Sequence, residues 1–289
     1  MRYKKITPYL FIAPMLIGLI LFRLGPIVAA LFISFTKWNI RTPPEYLGLA
    51  NYTEMFASET FWLVLKNTLV FAVAYVPGVM ILALIMALLV NQKLRGIGFY
   101  RALFFMPYIT SMVAVAMVWN WIFSTRFGIL NNTLRSLFGT SNTAWLNDYP
   151  LWVLIIVTIW KTSGFQMMIY VAGLQGIPGY LYEAARIDGA TRWQQFRYIT
   201  LPLLSPITFF ILIFSIIAAF RTFEVTFAMT GGGPLNRSTT LAYYIYQNAF
   251  VFNRMGFASS LAYVLMFIVG VITVLNFYGR RRWVIKDTY

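Results

Sequence analysis

Apolar residues gather along this chain into six long runs, separated by polar, turn-rich stretches. The runs are Tyr9–Phe35, Trp62–Val90, Ala102–Phe123, Leu151–Leu174, Leu203–Phe223 and Gly256–Phe277. A helix needs about 20 apolar residues to cross a hydrocarbon core of roughly 30 Å, so each run predicts one spanning helix. The first two exceed that length, which predicts a tilt, a kink or an interfacial start. The first run follows basic residues, as a secretory signal would. It outlasts the usual signal core of roughly 7–15 residues, and no A-x-A-like cleavage site follows it. It is therefore expected to remain as the first span. The predicted fold is all-α: a polytopic membrane bundle of six transmembrane helices, one domain over residues 1–289.

The segments between runs sort by charge. One side carries Arg2, Lys4, Lys5, Lys93, Arg95, Arg101, Arg186, Arg192, Arg197, Arg280, Arg281, Arg282 and Lys286, 13 basic residues against Glu183, Asp188 and Asp287. The other carries six, Lys37, Arg41, Arg126, Arg135, Arg237 and Arg254, against Glu45, Glu54, Glu59, Asp148 and Glu224. Lysine and arginine concentrate on cytoplasmic loops, which predicts both termini in the cytoplasm.

Composition agrees with a membrane solvent: 60% hydrophobic residues, 11% charged and a mean hydropathy of +0.71, where soluble domains carry about 25% charged residues. The net charge of +15 would suggest nucleic acid in a soluble protein. Here the bias lies on one set of membrane loops, so the expected partner is the lipid bilayer and not nucleic acid. Cysteine and histidine are absent. That excludes disulfides, Cys/His metal sites, cysteine nucleophiles and histidine-dependent triads or proton relays.

One cytoplasmic segment, residues 175–202, stands out for its polarity. Most of it is contained in YEAARIDGATRWQQFRYITLPL, from Tyr182 to Leu203. Pro178 suits a first helical turn, and GYLYEAARID follows with good helix formers. Gly189 fits the left-handed position that ends a helix. Thr191 and Gln194 form a T-x-x-Q capping box for a second helix, RWQQFRYI, and Pro202 is expected to stop it and mark the entry to the fifth span. The result is a helix–turn–helix knob between two spans. Ala184 and Ala185 would let it enter a groove on a soluble partner; alternatively it is an amphipathic connector lying on the membrane.

The spacing Glu183-Ala184-Ala185, three residues, Gly189, nine residues, Ile199, one residue, Leu201-Pro202 resembles the EAA signature of permease subunits in binding-protein-dependent ABC importers. RALFFMPYITSMVAVAMVW, FGILNNTL, GLQGIPGYLYEAARIDGA and TFAMTGGGPLNRSTTLAYYIYQNAF extend the likeness over nearly the whole chain. They are similar to the carbohydrate-importer branch, to its maltose-permease-like first subunit, in a six-span form without the extra N-terminal helices and large outer domain of the best-known member. The resemblance implies the ABC type I importer permease fold in a bacterial or archaeal cytoplasmic membrane. It implies a coupling helix that docks in an ATPase cleft, with Glu183, Ala184, Ala185, Asp188, Gly189, Ala190, Leu201 and Pro202 at the coupling site. The implied partners are a second homologous permease, a dimer of P-loop ATPase subunits and an extracytoplasmic solute-binding protein. No G-x-x-x-x-G-K-[ST] occurs in this chain, so ATP and Mg²⁺ are expected on the ATPase and no cofactor, catalytic residue or metal on this chain.

Ionisable residues inside spans mark pathways or buried pairs. Lys66 lies near the outer end of the second span and can snorkel. Arg23 precedes Gly25-Pro26, where a broken helix would leave carbonyls for it to anchor. Lys161 in TIWKTSG has two readings: a solute contact beside Trp160 and Thr162, or an interhelical polar bond. Ser215, Ala219 and Thr222 follow helical spacing, and Arg221 could pair with Glu224. Tyr108 follows Pro107, where a kink would aim the phenol inward. The resemblance implies a mid-membrane sugar site around Tyr108, Met112, Trp160, Lys161, Thr162, Ser215, Ala219 and Thr222, with Arg221 nearby. The glycine-rich TGGGPLNRSTT is either a contact for a binding protein or a plain connector.

The reading is a permease subunit of an ATP-driven importer, forming with a second permease the pathway for a sugar, oligosaccharide or sugar-like solute. Its rivals are an ion-coupled secondary transporter, which would want mid-span carboxylates that this chain lacks, and an ABC importer for an anionic solute met by Lys161 and Arg221.

Overall fold

The computed structural model describes residues 7–92, 95–139 and 142–280. Arg2, Lys4, Lys5, Lys93, Arg281, Arg282, Lys286 and Asp287, which weigh in the orientation argument, lie outside the described residues. Among the described residues, four helices are long and apolar enough to cross a membrane: Tyr9–Ser34, Glu59–Val90, Pro150–Gln175 and Met255–Arg280. Two bent pairs bring the number to as many as six: Ile97–Ile109 with Met112–Ile122 at 96°, and Arg192–Leu203 with Ser205–Phe220 at 64°. The third and fifth apolar runs are thus not straight helices. Thr110 and Ser111 have extended backbone, and in the other pair Leu204-Ser205-Pro206 starts a new helix with proline in its first turn.

Proline inside the other runs acts differently from expectation. The first span is not broken at Gly25-Pro26: a wide π-helical turn, Ile20–Leu24, precedes it, and the Gly25 N–H reaches the Ile20 carbonyl five residues back. Pro202 does not stop its helix either. A π turn at Phe196–Thr200 carries the helix through it, with the Leu201 N–H on the Phe196 carbonyl. In both places the residue before proline bonds five back, so the wider turn makes room for a ring that would crowd the carbonyl four residues back. Arg23 lies in the first of these turns, exposed and without a hydrogen-bond partner among the described residues, so it anchors no broken end. Lys66 is exposed on its helix.

The described residues cluster into two compact units. One holds those up to Phe61 together with Tyr244–Met266; the other holds Trp62–Tyr243 together with those from Phe267 onward.

In the first unit, helix α1 (Thr7–Leu19) runs through the π turn into α2 (Gly25–Ser34). A two-residue antiparallel ladder, β1 (Thr36–Lys37) with β2 (Glu45–Tyr46), and helix α3 (Ala50–Ala57) follow. The buried Asn51 amide ties them, donating to the Ser34 carbonyl at 2.8 Å and the Thr36 carbonyl at 2.9 Å. The Tyr263 hydroxyl donates to the Ile27 carbonyl.

The second unit is built on α4 (Glu59–Val90), the bent pair α5 (Ile97–Ile109) and α6 (Met112–Ile122), and α9 (Pro150–Gln175), with α7 (Ile129–Phe138) and α8 (Trp145–Asp148) between them. Asn131 clasps this connection: its amide donates to the Thr143 carbonyl at 2.9 Å and accepts from the Trp145 indole at 2.8 Å. Helix α10 (Gly179–Ile187), α11 (Arg192–Gln195) leading into α12 (Leu201–Leu203), and α13 (Ser205–Phe220) come next, then α14 (Glu224–Met229). The glycine-rich loop is no loose connector. Ser238, Thr239 and Thr240 are fully buried, the Asn67 amide donates to the Asn236 carbonyl at 2.8 Å, and the Leu241 N–H donates to the Thr68 hydroxyl at 2.8 Å. Ala83, Ala87, Val90, Met167, Tyr170, Val171, Leu174, Leu204 and Ile211 form one buried apolar cluster of this unit.

Candidate functional site

The polar segment folds as a compact knob. Helix α10 begins at Gly179 with Pro178 as its N-cap, one position before the first-turn place expected for it. It ends in a Schellman motif: the Ala190 N–H bonds the Ala185 carbonyl at 2.8 Å and the Gly189 N–H bonds the Arg186 carbonyl at 3.1 Å. Asp188 is the C-cap, and Gly189, at φ +78°, takes the left-handed position that a Cβ disfavours. Two residues on, Thr191 N–H donates to Gln194 Oε1 at 2.7 Å and Gln194 N–H returns to Thr191 Oγ1 at 3.3 Å, closing the capping box. The Tyr182 hydroxyl pairs with that of Thr200 at 2.9 Å and ties the two helices together.

The surface of the knob is as informative as its frame. Ile187 is 87% exposed and Trp193 66% exposed; Glu183 and Ala184 are exposed as well, and Ala185, Leu201 and Pro202 are half-buried. Large apolar side chains on a polar segment mark a contact surface when they group. The roots of the knob are fixed, since Leu174 before it and Leu204 after it enter the same buried cluster.

The mid-span candidates divide. Tyr108 and Lys161 meet where α5 breaks against α9, while Trp160 turns to Trp119 on α6 and Thr162 to Tyr75 on α4. Lys161 Nζ donates to the carbonyls of Pro107 at 3.2 Å, Tyr108 at 3.0 Å and Thr110 at 2.7 Å. The Tyr108 ring stacks on Phe165 with centroids 4.6 Å apart, and Phe165 meets Phe214 at 5.7 Å. Trp160 packs edge-on against Trp119 at 5.4 Å. Thr162 donates to the Thr158 carbonyl at 2.7 Å, so the buried Tyr75 phenol, 3.0 Å away, must be the donor to Thr162. Met112 opens α6 just past the break. A Cβ at Gly164 would overlap the Phe104 carbonyl oxygen, so glycine there sets how closely α5 and α9 approach.

Ser215 and Ala219 are fully buried on α13. The Ser215 hydroxyl is committed, donating to the Ile211 carbonyl at 2.6 Å and accepting from Gln166 Nε2 at 2.9 Å, while Gln166 Oε1 is buried with no partner among the described residues. Thr222 does not continue that face, because α13 ends at Phe220 and Arg221 is its C-cap. The same ending undoes the expected Arg221–Glu224 pair: no ion pair joins them among the described residues, since helical spacing of three no longer holds. Tyr75, Phe165, Gln166 and Phe214 were not singled out by the sequence; each is an apolar-run residue whose role depends on a partner on another helix.

Sequence reading also passed over the first unit's cavity of about 580 Å³, lined among others by Lys37, Trp38, Asn39, Glu45, Glu54 and Arg254. There Arg254 Nη2 reaches both Glu54 carboxylate oxygens at 2.6 Å, and its guanidinium lies over the Phe257 ring.

A family model described as binding-protein-dependent transport system inner membrane component matches residues 79–280. The chain belongs to this family. It is a multi-pass membrane permease, and its likenesses run beyond the matched region. The probable ABC transporter permease protein YesP of Bacillus subtilis (strain 168) is 39% identical over 289 residues, covering 98% of this chain and 93% of the relative. The lactose transport system permease protein LacF of Rhizobium radiobacter is 36% identical, covering 97% of this chain and 96% of the relative. Among solved structures, a bacterial ABC transporter involved in the import of the acidic polysaccharide alginate superposes with a TM-score of 0.82 at 25% identity, over 96% of this chain and 95% of that one. A second structure of the alginate transporter, in complex with an alginate pentasaccharide-bound periplasmic protein, gives 0.83 at 25% identity, over 96% and 94%. The permease has the ABC type I importer fold.

Proposed function

We propose that this permease is one of two homologous subunits of an ATP-driven importer, with both termini in the cytoplasm of a bacterium or archaeon. In this reading it conducts a carbohydrate or carbohydrate-like solute, delivered by an extracytoplasmic binding protein. The observation that carries the reading is the knob at 179–203: a doubly capped turn with exposed Ile187 and Trp193, rooted at Leu174 and Leu204 in a buried core. A rigid lever of this kind passes a push from a soluble partner to two spans at once. ATP and Mg²⁺ bind that partner, and closure of its dimer moves the knob through Glu183–Gly189.

The solute class rests on two supports. Relatives of this chain are named for lactose and alginate transport. The exposed faces of Tyr108 and Trp160 suit the apolar faces of sugar rings, with directed polar groups around them. Buried Gln166 Oε1, left without a donor, is the kind of acceptor that a hydroxyl satisfies. Trp160 on α9 and Tyr108 on α5 thus offer ring faces to the path from two helices.

The test is uptake into proteoliposomes holding this chain and its co-purified partners, screened with labelled di- to pentasaccharides including lactose and alginate oligomers. At least one saccharide is expected to accumulate only when ATP and the binding protein are both supplied. Uptake driven by a proton or sodium gradient without ATP would overturn the reading.

A further inference from the structure

We infer that Lys161 is a positioning residue of the solute path and not a solute ligand: its ammonium holds the break of the third span, and through it the Tyr108 ring. This inference rests on the permease reading for what the path carries, but its central evidence is geometric.

Lysine has three N–H donors and no acceptor. All three of Lys161 have a partner, the carbonyls of Pro107, Tyr108 and Thr110 at 3.2, 3.0 and 2.7 Å. Those carbonyls are the ones that need it. Helix α5 ends at Ile109 and the chain turns by 96° before α6 starts, so the last turn of α5 has carbonyls with no helical N–H to meet them. Within a membrane such groups must be satisfied by the protein itself, and a cation is favoured at the negative end of a helix. Lys161 therefore does for this break what a capping residue does at a helix end in water.

Its helix grips residue 108 twice. Phe165 lies one turn beyond Lys161 on α9, and its ring lies nearly parallel under Tyr108, at an interplanar angle of 15°. Lys161 holds the Tyr108 backbone while Phe165 holds the ring, and Gly164 brings α9 close enough for both. Tyr108 keeps 37% of its surface exposed, and that exposed face is what the two contacts orient. A lysine with free N–H groups would be an attractive partner for solute hydroxyls or carboxylates. This one has none to offer while the break is closed.

The chain has no cysteine, which makes the test direct. Cysteines replacing Tyr100 on α5 and Val118 on α6, both exposed, carry spin labels whose separation reads the bend. The measurement is made on the assembled transporter with cysteine-free partners and needs no solute, so it stands even if the proposed solute class fails. Lys161→Met is expected to broaden the label distances, and Lys161→Arg to restore most of the parent distribution.

Uptake of the saccharide found in the screen above gives the second arm. Lys161→Met is expected to raise KM by about tenfold with little change in kcat, and to add almost nothing in a Tyr108→Ala background, because it acts through that ring. Unchanged distances, with KM losses that multiply in the double variant, would make Lys161 a solute ligand and overturn the inference. Unchanged distances with unchanged KM would overturn it too. If Lys161→Met does not accumulate in the membrane, Lys161→Gln, which keeps a donor, carries the same comparison.

Discussion

Replacing Gly164 with leucine is expected to leave almost no assembled transporter in the membrane. The Cβ alone would overlap the Phe104 carbonyl oxygen, with the Phe104 carbonyl carbon and Phe105 Cα close behind. These are backbone atoms in a helix and cannot rotate away, so relief requires α5 to move off α9. That movement breaks the Lys161 bonds to Pro107, Tyr108 and Thr110 and unstacks Tyr108 from Phe165. The cost should exceed the ~1–3 kcal/mol typical of an overpacked core, where side chains can still give way. Gly164→Ala should already be severely impaired, whereas Gly270→Ala, which meets nothing within 4 Å, should behave as the parent. Size-exclusion profiles of tagged chain from membranes measure this; a normal profile for Gly164→Leu would mean that α5 and α9 are not packed as described.

The second large effect concerns coupling. Gly189→Val is expected to insert and fold normally in its spans but to abolish ATP-driven uptake. At φ +78° a β-branched side chain is strained by roughly 1–2 kcal/mol or more. The knob avoids the strain by opening its Schellman turn, which separates Ala190 from Ala185 and re-aims Ile187 and Trp193. Glu183→Lys tests the surface instead of the frame, reversing an exposed charge without touching the turn. In both variants the ATPase should hydrolyse ATP without transport or fail to co-purify. Normal uptake by both would relegate the knob to a connector on the membrane.

What could be read in advance follows from the range of the interactions. The left-handed Gly189 and the Thr191–Gln194 capping box are set by neighbours within a few residues and are found where the sequence places them, whereas the apolar runs appear among the described residues as four spanning-length helices and two bent pairs. The expectations at Pro26 and Pro202 failed because a helix has two answers to proline. At Pro26 and Pro202 it widens into a π turn, while at Ser205-Pro206 a new helix begins. Local sequence does not distinguish these outcomes, since packing decides which is cheaper. The Arg221–Glu224 pair failed on a boundary, because the helix ends at Phe220. Lys161 was visible as a costly charge, but its partners lie about 50 residues earlier, and no spacing rule reaches them. Tyr75, Gln166 and Phe165 were invisible for the same reason, being ordinary members of apolar runs until another helix meets them.

The measurement that bears most directly on the central claim is purification of the tagged chain in mild detergent, with its bound proteins identified. The account predicts a second, homologous six-span permease and a P-loop ATPase, the ATPase either lost or hydrolysing ATP without transport on Gly189→Val or Glu183→Lys while the permease pair remains. A stable complex that contains no ATPase, and that transports without ATP, would contradict it.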